Sequence, residues 1–274
     1  MTMTHFSDRG LDTLCRQLNL QIVNLYYGTN SGYWTLSLPP WRLIFILESD
    51  GESFLGTLSH RVPCMKYNWY LLPPFCEIRH SLNESMLHLS IHFTATVSGN
   101  LTLTESKDTF FYGEDPETVE QIRTTLASAS TLSLSLFFNE LAYAKLRQVL
   151  TRDDSERIMQ LYRIPEFASL ADHLKIHATA RTRVEEMATF CSMKTDSFIK
   201  HFTRTTGRPP GKFLAGILTE KAISLLSDGN HSIKTVAYAL EFCNEFYFSR
   251  FFKKQTGLAP SDYQSRFSVK NKKE

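Results

Sequence analysis

The last ninety residues of this 274-residue chain contain one unit twice. Phe198, Phe202, Thr206, Gly207 and Pro210 return fifty positions later as Phe248, Phe252, Thr256, Gly257 and Pro260, with Lys200/Arg250, Arg204/Lys254 and Phe213/Tyr263 as close substitutes. Upstream the copies match at an offset of forty-nine. Val184, Met187, Ala188 and Cys191 stand at i, i+3, i+4 and i+7, as do Ile233, Val236, Ala237 and Leu240. Each unit therefore reads as a short amphipathic helix, a tight turn and a second helix pinned down by phenylalanines four apart. Ala188 and Ala237 are small enough to let the two helices cross closely. Gly207 and Gly257 suit left-handed caps, and the prolines three residues on forbid continuation. Two helix-turn-helix units follow, over about 183–207 and 232–257. Between them Phe213–Leu226 reads as a linker helix (about 210–227), ended by Asp228-Gly229-Asn230.

The first half obeys a different period. Apolar or alternating runs at Tyr33–Leu38, Trp41–Leu47, Trp69–Leu72 and Met86–Phe93 are cut by Pro39-Pro40, Asp50-Gly51, Pro73-Pro74 and Asn83. That is strand chemistry, and it predicts a small antiparallel barrel or sandwich over about 20–113. Asp115-Pro116-Glu117 then reads as a helix N-cap, a first-turn proline and an acidic first turn. Helices are expected at Glu117–Ala127 and Leu134–Leu150, within a helical stretch of about 115–163. The whole is an α+β chain of two domains, 1–165 and 166–274. The five cysteines are scattered without a CxxC pair, so reduced, mostly buried thiols are expected. The longest apolar run, Leu43–Leu47, is strand length, and Asp8, Arg9, Asp12 and Arg16 interrupt the first twenty residues. A cytoplasmic, nucleoid-associated protein with no membrane partner is expected.

Charge points to the second half. Residues 1–150 hold 10 Lys and Arg against 14 Asp and Glu, a net of −4; the remainder holds 20 against 14, a net of +6. With Phe198 and Phe202 turned inward, Thr195, Asp196, Ile199 and Lys200 face out. The second unit likewise presents Asn244, Glu245, Ser249 and Arg250. Such side chains can read base edges in a major groove. Arg204, Lys253, Lys254 and Lys212 stand near helix ends, where phosphates lie. A solvated helix face is the bland alternative for any one of them, though not for the repeated unit. The GxSxG, Walker and GxGxxG patterns are all missing, so no catalytic residue is assigned.

In Met86–Phe93 the residues Leu87, Leu89, Ile91 and Phe93 share one strand face and His88, Ser90 and His92 the other. If the second face lines a barrel, its histidines can meet an organic ligand. The spacing is wrong for a metal, and solvent or structural hydrogen bonding is the bland reading. Trp34, Arg42, Trp69, His80, His88 and His92 are the candidate effector contacts. No metal or cofactor is expected.

From Val184 to Gln264 the chain resembles the AraC/XylS family of bacterial transcription regulators. The residues that carry the resemblance are Ser232–Ala237, Phe248–Lys254 and Gly257–Tyr263. It departs from the family pattern at Glu241, where glycine is usual, and at Leu218, usually arginine. Leu43–Leu47 with Gly51, Asn68–Pro74 with His80, and His92-Phe93 resemble that family's cupin-like sensor domain. The resemblance implies an effector-responsive regulator of double-stranded DNA, often a homodimer through the middle helices. It also implies frequent activation of sugar or other catabolic genes with RNA polymerase, and a small-molecule effector with sugars among the candidates. The rival reading is a cupin-type enzyme with an attached helical domain.

Overall fold

The computed structural model describes residues 18–49, 51–58, 60–97, 101–102, 110–150 and 165–267. The expected continuation of the middle helices to 163, and with it the approach to the expected domain boundary, falls outside the described residues. So does the segment read for a leader. Among the described residues ten strands come first: β1 (Asn19–Thr29), β2 (Gly32–Leu36), β3 (Trp41–Glu48), β4 (Phe54–Gly56), β5 (Arg61–Pro63), β6 (Asn68–Leu72), β7 (Ile78–Leu82), β8 (Leu87–Val97), β9 (Leu101–Thr102) and β10 (Phe111–Glu114). They form two antiparallel sheets, one ordered β1-β8-β3-β6-β10 with β9 beside β8, the other β2-β7-β4-β5.

Strand β3 is buried on both faces from Trp41 to Leu47, and its alternation sorts two environments. Leu43, Phe45 and Leu47 join Trp69, Leu71, Leu89, Ile91 and Phe93 on the outer face, beneath two helices. Ile44 and Ile46 join Tyr70, Leu72 and Ile78 on the inner face. The helices are α1 (Pro116–Ser128) and α2 (Thr131–Val149). Asp115 caps α1 as its sequence predicts, its carboxylate accepting from the Thr118 amide at 3.0 Å. The same carboxylate receives Lys145 Nζ at 2.6 Å, and that ammonium lies 4.6 Å above the Trp69 ring. Of the middle-helix residues Phe137, Leu141, Tyr143 and Leu146, expected to supply apolar surface for a homodimer, Phe137, Leu141 and Leu146 are spent on the barrel's own outer core, because they share the face of α2 that lies on the sheet. Leu132, Leu136 and Tyr143 remain exposed on that helix.

Among the described residues seven helices follow: α3 (Pro165–His177), α4 (Val184–Phe190), α5 (Thr195–Thr206), α6 (Pro210–Ser227), α7 (Ile233–Ala239), α8 (Glu245–Thr256) and α9 (Pro260–Phe267). The first repeat is α4–α5 and the second α7–α8. Each has its own core, and α6 belongs to both: Phe213, Leu214, Ile217 and Leu218 pack with Phe198 and Phe202, while Ala222, Ile223 and Leu226 pack with Phe248 and Phe252. The repeated Thr-Gly is explained. Gly207 (φ 73°) and Gly257 (φ 86°) end α5 and α8 in the left-handed region. The Thr206 and Thr256 hydroxyls each donate to the carbonyl four residues back at 2.8 Å and accept the amide two residues on, at 3.2 and 3.3 Å. Leu218, where the resembled family favours arginine, is core. Among the described residues no helix is long and apolar enough to cross a membrane.

The sequence does not announce how the halves meet. Trp34, Leu36 and Leu38 enter the core of the second repeat. The Ser37 amide donates to the Thr256 carbonyl at 3.0 Å, Asn24 donates to Ser227 at 3.1 Å, and Tyr26 donates to the Phe267 carbonyl at 3.3 Å. On the other side of α6, Arg208 lies 4.4 Å over the Phe75 ring, whose edge also presses on Gly216.

Candidate nucleic-acid interface and ligand cavity

The turn between α4 and α5 places Ser192 at φ 54°, and the turn between α7 and α8 places Glu241 at φ 56°. The two positions are equivalent under the offset of forty-nine, so both units use the same left-handed residue to start the second helix. With the phenylalanines inward, α5 leaves Asp196, Ile199, Lys200 and Arg204 exposed and Thr195 half-buried. Arg204 lies 3.1 Å from the His201 ring nitrogen. On α8, Arg250, Lys253 and Lys254 are exposed, and Glu245 and Ser249 are half-buried. Lys212 is also exposed, at the start of α6.

Two refinements come from the geometry. Asn244 is the N-cap of α8, its side-chain oxygen accepting from the Tyr247 amide at 2.9 Å, so that oxygen is already engaged. The offset of fifty also pairs Asp196 with Phe246 and Ser197 with Tyr247, and these two aromatics are 72% and 60% exposed. Large rings left in water on the first turn of a helix could make apolar contact with a thymine methyl if that helix entered a major groove. Sequence reasoning missed them because aromatics at helical spacing default to the core; the repeat, aligned residue by residue, places them outside it.

The second site lies between the sheets, where a cavity of about 590 Å³ opens. Of the six expected effector contacts, Trp34, Arg42, His80, His88 and His92 line it. Trp69 does not, because its position on β6 has the parity of Leu71 and points it outward to Lys145. Of the two β8 histidines read as meeting a ligand, solvent or structural hydrogen bonds, His92 is buried and His88 half-buried; His80 is buried as well. Leu36, Ile44, Ile46, Leu55, Leu82 and Met86 supply apolar walls, and Ser265, Arg266 and Phe267 of α9 supply one further side. The Phe267 ring meets Tyr26 at 5.3 Å, and Arg266 sits 4.5 Å over Trp34. Burial, then the Arg42 charge, pulls His80 down to about 3 and His92 well below its ordinary value, so both rings are neutral at physiological pH. No cluster of three or more metal-ligating side chains occurs among the described residues.

Residues 187–266 match the family described as a helix-turn-helix domain. The MmsAB operon regulatory protein of Pseudomonas aeruginosa is 33% identical over 94 residues, which is 34% of this chain and 31% of that protein. The HTH-type transcriptional regulator YidL of Escherichia coli K12 is 33% identical over 88 residues, 31% of this chain and 30% of that one. The matched stretch thus spans about a third of each relative. Over the full length the fold is similar to ToxT of Vibrio cholerae, with TM-score 0.59 and 15% identity, covering 93% of this chain and 99% of that one. A ToxT structure with an unsaturated fatty acid bound gives TM-score 0.60 at 14% identity, covering 94% and 98%. These structural likenesses are likenesses of fold.

Proposed function

We propose that this chain, an AraC-type DNA-binding transcription regulator with a β-barrel sensor domain, reads one operator with both repeats and changes its DNA binding when the barrel cavity fills. The observation that carries the reading is the shared helix α6, which joins both repeat cores and so holds α5 and α8 as one body, each with its cations in solvent. Two reading helices about one duplex turn apart, roughly 34 Å, enter successive major grooves on one face. Lys200 and Arg250, at matching positions, are assigned to base edges. Arg204, Lys253 and Lys254 are assigned to phosphates, and Phe246 and Tyr247 to apolar base contacts.

The cavity supports an organic effector, since its volume is that of a small-molecule site and its lining mixes apolar walls with a few polar groups. The domain division at 165/166, the homodimer, the engagement of RNA polymerase and the activation of sugar or other catabolic genes belong to the same reading. For the dimer, the support is the exposed stripe of Leu132, Leu136 and Tyr143 on α2, which share one face. Gel shifts on the protein's own upstream promoter fragment test the proposal. Binding should fall by orders of magnitude between about 50 and 200 mM salt, as released counterions require. Absence of any shift, or a shift insensitive to salt, would overturn it. Transcription from that promoter with and without the bound ligand fixes the sign of regulation.

A further inference from the structure

Arg42 stands on β3 with 1% of its surface exposed, at the cavity wall. Its Nη2 donates to the Cys76 carbonyl at 3.0 Å, while Nε and Nη1 meet no partner. The lining residues include no aspartate or glutamate, so among the described residues the guanidinium is buried without a counter-charge. Burial lowers it to about 10, which still leaves it a cation at neutral pH. An unpaired buried charge is among the most costly arrangements a fold can hold, and it persists where something else supplies the partner.

The neighbours share the imbalance. The Trp34 Nε1, His88 Nδ1 and His92 Nδ1 atoms are also buried without partners, and all three residues line the same cavity. The lining offers hydroxyls, amides and imidazoles that can serve a neutral ligand, but no carboxylate to answer the buried Arg42 cation. An anionic head supplies the one thing missing, the counter-charge. Among the other lining residues Leu36, Ile44, Ile46, Leu55 and Met86 form an apolar wall that suits an apolar body behind the charged head, beside polar groups such as Asn24, Thr29 and Ser90.

We infer that the cavity takes an organic monocarboxylate, its head held by Arg42 and its apolar body laid along the inner faces of the two sheets. This rests on the reading of the cavity as the effector site and narrows its ligand class.

The test uses the full-length protein and isothermal titration with a panel of monocarboxylates, decanoate and phenylacetate among them, each paired with its primary amide. Neutral monosaccharides are run alongside. At least one acid should bind at least about ten-fold more tightly than its amide, the scale of one charge-assisted hydrogen-bonded contact. Arg42→Met should erase that preference and Arg42→Lys retain part of it. The acid-against-amide comparison on the unaltered protein stands even if Arg42→Met fails to fold. Equal binding of acid and amide, an acid preference that survives Arg42→Met, failure of the whole acid panel, or tight binding of a monosaccharide instead would each overturn the inference. Loss of promoter binding by the unaltered protein strikes the regulator reading and leaves the ligand class to the titration.

Discussion

Arg250 and Lys253 lie three residues apart on α8, both in solvent, yet they are assigned different partners. A side chain that reads guanine discriminates by about 1–3 kcal/mol, whereas a phosphate contact adds affinity for any sequence. Arg250→Ala should therefore weaken the operator and leave scrambled duplex nearly unchanged. Lys253→Ala should weaken both and lower the salt slope by about one. Equal losses from Arg250→Ala on operator and scrambled DNA would make it a phosphate contact. Glu241 is a second test. Its left-handed backbone is strained by about 1–2 kcal/mol for an L residue, and its pairing with Arg181 at 3.7 Å is exposed and weak. Glu241→Gly should raise thermal stability despite the looser unfolded chain, with DNA binding intact, and a fall in melting temperature would contradict this account. Glu220 on α6 titrates within the useful range, raised by burial to about 7 despite Lys175 and Arg208. A carboxyl whose pKa is higher folded than unfolded destabilises the fold as pH climbs from about 4.5 through about 7. Glu220→Gln should thus gain stability over the parent at about pH 8 and almost none at about pH 4.5, read by thermal melts. Gly207, Gly257 and the inward phenylalanines were legible in the sequence, since the fifty-residue offset repeats them. The capping role of Asn244 was not, because an outward face and an N-cap position give an asparagine the same helical register.

Among the elements, β8 shows what periodicity can and cannot say. Its alternation placed His88, Ser90 and His92 on one face, and that face does line the cavity. On β6 the same rule, applied in register with β3, would have excluded Trp69, but strand pairing is invisible in a single chain. Strand β2 is the harder case. Trp34 and Leu36 announce a buried face, yet the core they enter is built from residues two hundred positions later. A pattern names the face to be covered and not its cover. Helix α2 yields a prediction on the same ground. The barrel uses Phe137, Leu141 and Leu146, so any dimer contact falls to Leu132 and Leu136, which are 71% and 65% exposed. Leu136→Glu should turn a dimer into a monomer in sedimentation at tens of micromolar with an unchanged melting temperature. A monomer without the substitution would remove the dimer.

The molecule as a whole is held by a seam in which Gly257 has two duties. It ends α8 at φ 86°, and it leaves room for the Thr35 carbonyl, with which any Cβ would collide. Gly207 caps α5 at φ 73° in an exposed place. Alanine at either glycine costs the left-handed penalty of about 1–2 kcal/mol. Gly257→Ala should cost visibly more, because β2 must also withdraw from the second repeat. Equal drops in melting temperature for the two variants would mean that the seam carries no stability. The helix common to both repeats has a consequence for how such a reader can change over time. Each residue inserted into α6 advances the second reader by about 1.5 Å but swings it by about 100°. Shifting a DNA half-site by one base pair turns it by only about 35°. If both repeats read one operator as proposed, no operator can follow such a jump by changing its spacing, so the length of α6 is locked to the target and recognition drifts through the letters on α5 and α8 alone.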